Sequence, residues 1–494
     1  MNTYSDFLLM VPEAVLVAAL VILFVADFAS NKQQERPWLN PLACLLMIPA
    51  IAAPLLATDE VHAFGDMYRN TFGVGIVKSI LAAGTLIVFI QSKVWAEKSR
   101  KEGEFYMLIL STLLGMFVML SAGHFLLFFL GLEMASVPMA TVVAFDKYRK
   151  ESAEAAAKYI LTATFSSGVM LYGISFIYGF FGTLYFDDIA RQLTEMQNPL
   201  AVLLMMLLGG SDALNTSMLI LGFVFFFSGL GFKLSLVPFH FWTADTSQGA
   251  PTTVTGYLSV ISKGAAAYTL LIILFHVFGA LREQWEYLMY IVIVLSITIA
   301  NLFAIRQSEL KRFMAFSSIS QAGYIMLAAI GTDWNLSATA LLYYVLIYIV
   351  ANMSVFSIIA VVEQNNNGKT NIADYDGFYQ TNPKLAFLMT LALFSLGGIP
   401  PFAGMFSKFF VFMAAAKAGS AWAYAIVFIA LINTVISLYY YLIIVKAMYI
   451  KKSDTPLPTF QSDCNTKIAL TICTAGILLF GICSGVFEWI AASV

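Results

Sequence analysis

The feature that most limits what this sequence can become is its succession of apolar stretches, each about as long as a bilayer is thick. A helix needs about 20 apolar residues to cross the hydrocarbon layer. Runs of that kind, bounded by charges or turn formers, fall at roughly 7–29, 39–57, 72–92, 104–122, 124–145, 155–181, 216–241, 252–276, 285–305, 311–331, 336–362, 384–417, 421–450 and 466–490. Backbone polar groups in lipid must be satisfied within the spanning element, so these runs predict α-helices. Fourteen spans of about 22 residues would occupy roughly 62% of a chain this long. The apolar share is 60% and charged residues make up only 11%, against about 25% charged in an ordinary soluble domain. A soluble globule, a disordered chain, a nucleic-acid module, a secreted disulfide scaffold and a membrane β-barrel are all disfavoured. The predicted fold class is an all-α polytopic membrane protein with about 14 transmembrane helices. Two runs are too long for a single crossing, and Tyr185 to Asp212 reads as a loop plus an apolar stretch too short to span.

The net charge of -2 says little by itself, because orientation follows the placement of Lys and Arg. Seventeen basic residues fall in loops on one side, among them Lys32, Arg36, Lys98, Lys147, Lys150, Lys311, Arg312, Lys369, Lys384 and Lys467. The other side has four: Arg69, Arg191, Arg282 and Lys417. That excess predicts the first set in the cytoplasm, and an even number of spans then places both termini outside. Met1 to Asp6 lacks a basic n-region and a cleavage site, so the first run reads as a retained helix. Cys44, Cys464, Cys473 and Cys483 form no C-x-x-C pair and read as apolar packing residues.

The other six basic residues, Lys78, Lys158, Lys233, Lys263, Lys408 and Lys446, lie inside apolar runs. A charge near the bilayer centre costs about 2.5 to 3.5 kcal/mol on insertion scales, so each needs a partner, water or a function. At 1.5 Å rise per residue, Glu133 falls about 2 Å and Lys263 about 1.5 Å from the middle of their runs. Lys233 falls about 7 Å and Lys408 about 11 Å from the middle. Lys78, Lys158 and Lys446, nearer the run ends, are expected to reach the headgroups, with a lower-ranked path role kept for Lys158. A lone carboxylate, Glu133, with several deep lysines forms a protonatable series suited to passing protons; the competing reading is buried ion pairs that fix helix packing.

Two runs also carry helix breakers. The seventh has Gly229, Gly231, Lys233 and Pro238, and the twelfth has Gly397, Gly398, Pro400, Pro401, Gly404 and Lys408. Broken helices at matching positions of two halves point to a transport site, so two inverted five-helix repeats are predicted, each with a broken helix. The expected division is 1–103 as three leading helices, 104–276 as the first repeat, 277–450 as the second and 451–494 as a last helix. His240 follows the first break near Asp245, where a loop hydrogen bond and a proton relay are both open. His124 and His276 sit at run ends and His62 in an outer loop. No spacing suits a metal, a nucleotide or haem.

The wording of several segments is more specific. GLGFKLSLVPFHFWTADTSQGAP from Gly229 to Pro251, with Ser262-Lys263-Gly264, LKRFMAFSSISQAGY from Leu310, SLGGIPPFAGMFSKF from Ser395 and SLYYYL from Ser437 resemble the antiporter-like membrane subunits of bacterial NADH:quinone oxidoreductase, respiratory complex I. The wording is closest to subunit N. The resemblance covers all fourteen runs. It implies a proton-translocating membrane-arm subunit of an enzyme complex in the bacterial inner membrane, with other membrane-arm subunits as partners and no nucleic acid. It also implies no redox centre or cofactor in this chain, with NADH, FMN, iron-sulfur clusters and quinone in partner subunits. Carried over by position, Glu133, Lys233, Lys263 and Lys408 form the proton path. Ala244, Ser247 and Gln321 depart from the usual family residues, and a relay through Gln321 would have to use water. The alternative is an Mrp-like cation/proton antiporter subunit.

Overall fold

A computed structural model describes residues 6–30, 36–56, 60–147, 149–196, 212–366, 368, 370–453, 456–483 and 485–494. Lys32, Lys369, residues 1–5 and the apolar stretch at 197–211 lie outside the described residues. Among the described residues thirteen helices are long and apolar enough to cross a membrane, and two shorter ones, Pro383–Gly397 and Ala403–Ala416, divide the twelfth run between them. Together they make the fourteen predicted spans.

In chain order the helices begin with α1 (Val11–Ala29), α2 (Leu39–Leu56), α3 (Phe72–Ser99), α4 (Glu102–Leu120), α5 (Phe125–Val143) and α6 (Lys150–Phe181). A hairpin of β1 (Val61–Ala63) and β2 (Tyr68–Asn70) precedes α3. Then come α7 (Phe186–Met196), α8 (Asp212–Leu234), α9 (Phe241–Gly249), α10 (Thr252–Ile272), α11 (Arg282–Ile305), α12 (Leu310–Met326) and α13 (Trp334–Asn365). The chain ends with α14 (Phe378–Thr381), α15 (Pro383–Gly397), α16 (Ala403–Ala416), α17 (Ala421–Tyr449), α18 (Cys464–Ile482) and α19 (Gly485–Ala491).

The segment after Tyr185, expected as loop, contains the amphipathic helix α7. Phe186, Ile189 and Leu193 recur at helical spacing and are buried, while Asp187 and Arg191 face outward. Such a helix is too short and too polar to stand out among spanning runs.

Burial divides the spans into two kinds. The apolar windows of α12 and α13 are 100% and 94% buried, whereas those of α1, α2 and α17 are each 33% buried. The outer helices present large apolar side chains such as Phe28, Phe428 and Val435, as a lipid-facing surface requires. The inner helix α13 packs on α10, α15, α16 and α18, and α10 also packs on α3. Lysines on inner helices are therefore cut off from both lipid headgroups and solvent.

Loops carrying the larger basic set meet at one end. Leu310 N donates to Thr370 O at 2.9 Å, Gly377 N to Ala447 O at 3.0 Å, and Asn382 Nδ2 to Pro458 O at 2.9 Å. At the other end Tyr68 bridges to Ala122 and His124 to Tyr185.

Candidate functional site

Both helix breaks exist, and each has a local cause. In the first, α8 runs through Gly229 and Gly231 without interruption and stops at Leu234, after which Ser235 takes a left-handed φ of 61°. The glycines serve packing instead: a Cβ at Gly229 would come within 2.5 Å of Met170 Cβ. The chain turns through Pro238 and restarts as α9. In the second, α15 ends on Gly398 at φ 86°, and Pro400 and Pro401, which lack backbone donors, forbid continuation until α16 begins. A Cβ at Gly404 would overlap the Ser395 carbonyl, so α16 can fold back closely on α15.

The two lysines occupy opposite sides of their breaks in sequence. Lys233 lies in the last turn of α8. Lys408 lies beyond the break, on α16, and its Nζ reaches back to donate to Gly397 O at 3.1 Å, at the end of α15. The Lys408 ammonium therefore sits at the carbonyl end of a half-helix, where the helix dipole favours a cation. Lys408 also stands over the Tyr324 ring, 5.0 Å from its centroid.

Lys233 Nζ donates to Ser136 Oγ at 2.9 Å and lies 3.5 Å from Tyr159 OH. Glu133, one turn before Ser136 on α5, acts on Lys233 electrostatically but forms no direct ion pair with it. Glu133 Oε1 is buried without a protein partner. Lys263, in the middle of α10, donates to Ser318 Oγ on α12 at 2.9 Å. Among the described residues none of these three lysines has a carboxylate within ion-pair distance, and each is at most 4% exposed.

Between Lys263 and Lys408 stands a cluster of hydroxyls and one amide. Ser317 and Tyr441 share a hydrogen bond of 2.5 Å, Gln321 Nε2 donates to Tyr441 OH at 3.2 Å and to Leu396 O at 3.3 Å, and Tyr344 OH donates to Gln321 Oε1. Gln321, Tyr344, Tyr348 and Lys408 line a cavity of about 10 Å³. That is about the room one water needs. On the approach from Lys233, His240 is buried, near enough to Lys263 to feel its charge, and its Nδ1 has no protein partner. The side chains of Thr243, Thr246, Ser262, Ser320 and Tyr348 likewise hold buried oxygens without protein partners. Buried polar groups in this state are generally hydrated. Ala244 and Ser247 are both buried on α9.

Several charges differ from the sequence expectation. Lys78 does not reach the headgroups: it is fully buried, with Glu13 Oε1 at 2.6 Å, Asn70 Oδ1 at 2.8 Å and Tyr68 OH at 3.4 Å. Glu133 is consequently not the lone intramembrane carboxylate; the acid at position 13 in the first run was the signal for this pair. Lys158 is 43% exposed and contacts Asp245 and Glu154 at 2.6 and 2.7 Å, while Lys446 is exposed as expected. Asp245, on α9, also accepts from Arg312 at 2.5 Å, joining α6 to α12. Its carboxyl is held below the usual range: burial opposes ionisation, but the hydrogen bonds from Lys158 and Arg312 outweigh it. Lys311, counted among loop cations, is buried, donating to Ala250 O at 2.9 Å with Glu363 at 3.4 Å. Arg36 is buried too, between Asp27 and Glu102 at 2.6 and 3.0 Å. No group of acidic, His or Cys residues suited to a metal occurs among the described residues.

Comparison with known proteins places this geometry. The family described as NADH:quinone oxidoreductase/Mrp antiporter, transmembrane, matches residues 122–437. NADH-quinone oxidoreductase subunit N of Phocaeicola vulgatus is 56% identical over 480 residues, 96% of each chain. A chain of respiratory complex I from Thermus thermophilus, solved with bound aureothin, superposes with a TM-score of 0.79 at 28% identity, covering 98% of this chain and 100% of that one. A chain of the Mrp complex from a Dietzia species has the same fold, with a TM-score of 0.79 at 19% identity over 100% and 97% of the two chains.

Proposed function

This chain belongs to the NADH:quinone oxidoreductase/Mrp antiporter transmembrane family, among its subunit N members, and on that premise we propose that it conducts protons across a bacterial inner membrane as a membrane-arm subunit of NADH:quinone oxidoreductase. The observation that carries the reading is that Lys233, Lys263 and Lys408 are buried yet held only by hydroxyl or carbonyl oxygens. Uncompensated charge is costly inside a protein, and lysine, unlike arginine, can be neutral there. Such side chains can accept and release protons in turn.

In this reading, residues 104–276 and 277–450 form two inverted five-helix units, preceded by the three helices within 1–103 and followed by the last within 451–494. Protons enter from the cytoplasm beside Lys158, Asp245 and His240. Glu133 modulates Lys233 through space, and a proton reaching Glu133 weakens its hold on the lysine. Water along the unpaired hydroxyls links Lys233 to Lys263, the exchange point between the units. A single water in the cavity beside Gln321 and Tyr344 then connects to Lys408, the exit gate. Gln321 keeps its amide fixed and carries no proton itself. NADH, FMN, iron-sulfur clusters and quinone belong to partner subunits, whose redox chemistry drives the cycle.

The test is proton translocation per NADH oxidised by the purified complex in sealed vesicles. Lys263→Met lowers the ratio, and Lys263→Arg does not restore it, because guanidinium holds its proton. An unchanged ratio in an intact Lys263→Met complex refutes the assignment. Purification without flavin and iron-sulfur proteins would instead favour an Mrp-like cation/proton antiporter.

A further inference from the structure

Outside the lysine series, the proton path leaves unused a groove of about 680 Å³ between α15 and α18, at the end of the molecule where the larger basic set gathers. Its wall is apolar, with Leu388, Leu470 and Ala475, and its rim carries Lys384 and Lys467. The rim is built rather than incidental. Asn382, 5% exposed, accepts from Phe460 N at 2.8 Å and donates to Pro458 O at 2.9 Å, which fastens the loop after α17 over the start of α15.

The charge is one-sided. Among the described residues no carboxylate lines the groove, and neither lysine has an ion-pair partner. Lys384 and Lys467 both lie in the first turn of their helices, where the helix dipole disfavours a cation. Phe387 and Ile468, 55% and 46% exposed, flank the groove on the outer surface, so it opens toward lipid. An apolar slot beneath two uncompensated ammoniums at a membrane boundary matches an anion carried on hydrocarbon chains.

We propose that this groove binds one anionic phospholipid, its phosphate between Lys384 and Lys467 and an acyl chain along Leu388 and Leu470. Cationic pockets between spanning helices recognise headgroups in this way. The phosphate supplies the counter-charge both lysines lack, and the chain covers apolar wall that would otherwise face loosely packed lipid.

The experiment uses the intact complex in phosphatidylcholine vesicles containing a trace of phosphatidylglycerol or phosphatidylcholine with a photoreactive acyl chain, followed by peptide mapping. Labelling within residues 383–388 and 467–475 is expected to favour the phosphatidylglycerol probe by roughly thirtyfold, about a factor of five for each lysine near the headgroup. Lys384→Gln with Lys467→Gln removes the preference, while Lys384→Arg with Lys467→Arg retains it. Should the glutamine pair fail to assemble, Leu388→Trp, which fills the slot, must abolish the labelling in its place. Equal labelling by both probes, or a preference that survives the glutamine pair, overturns the proposal. So does a groove that is labelled in the isolated chain but silent in the complex, because a neighbouring subunit then occupies it. Proton translocation is not the readout, so this result stands apart from the pumping assignment.

Discussion

Lys408 shows how much a single side chain depends on what surrounds it. Its ammonium lies between the Gly397 carbonyl and the Tyr324 ring, with a water-sized cavity beside it. Lys408→Met is expected to lower proton translocation per electron pair while the complex still assembles; full pumping by that variant would remove Lys408 from the path. Glu133→Gln is expected to act more weakly, because Ser136 rather than Glu133 holds Lys233 directly. Lys78 behaves differently because its carboxylate, Glu13, is in contact. Breaking such a buried pair by removing one partner costs about 3 to 5 kcal/mol, since the other charge stays buried. Lys78→Met should therefore reduce the amount of folded chain in the membrane, and adding Glu13→Gln should recover much of it. If the single variant accumulates like the parent, the pair is dispensable for folding.

Elements tie together through polar contacts at their ends. Helix α7 is held to the β1–β2 hairpin by Arg69, which grips Asp187 with both guanidinium arms. The guanidinium hydrogen bond keeps the Asp187 carboxyl below the usual carboxylate range, against a smaller opposing effect of burial. A carboxyl depressed in the folded state contributes stability above its unfolded pKa, about 3.9, and loses that contribution as pH falls through its lower folded value. Hydrogen exchange of the α7 amides, corrected for intrinsic rates, should stay slow from about pH 7 to 5 and quicken only below about pH 4. Arg69→Gln should quicken it across the whole range. Unaltered protection in that variant would show that Phe186, Ile189 and Leu193 alone dock the helix.

For the whole molecule, we propose from the placement of the basic loops that both termini face outside. In a background lacking the four cysteines, Glu154→Cys should resist an impermeant thiol reagent in intact cells and Glu195→Cys should react. Both positions are exposed, so failure to react reports sidedness and not burial. The reverse pattern would invert the topology.

The spans, their number and both breaks were legible in the linear order of residues, because lipid length, backbone satisfaction and proline chemistry act locally. The deep lysines stood out for the same reason: a charge in an apolar run is conspicuous wherever the helix packs. Their partners were not legible. That Lys78 meets Glu13, Lys233 meets Ser136, and Lys311 lies buried near Glu363 depends on which helices touch, and those contacts join positions 65, 97 and 52 residues apart. Hydropathy carries no record of such pairings. A lysine near a run end can reach the headgroups or turn inward, and only packing against an outer or an inner helix separates Lys446 from Lys78.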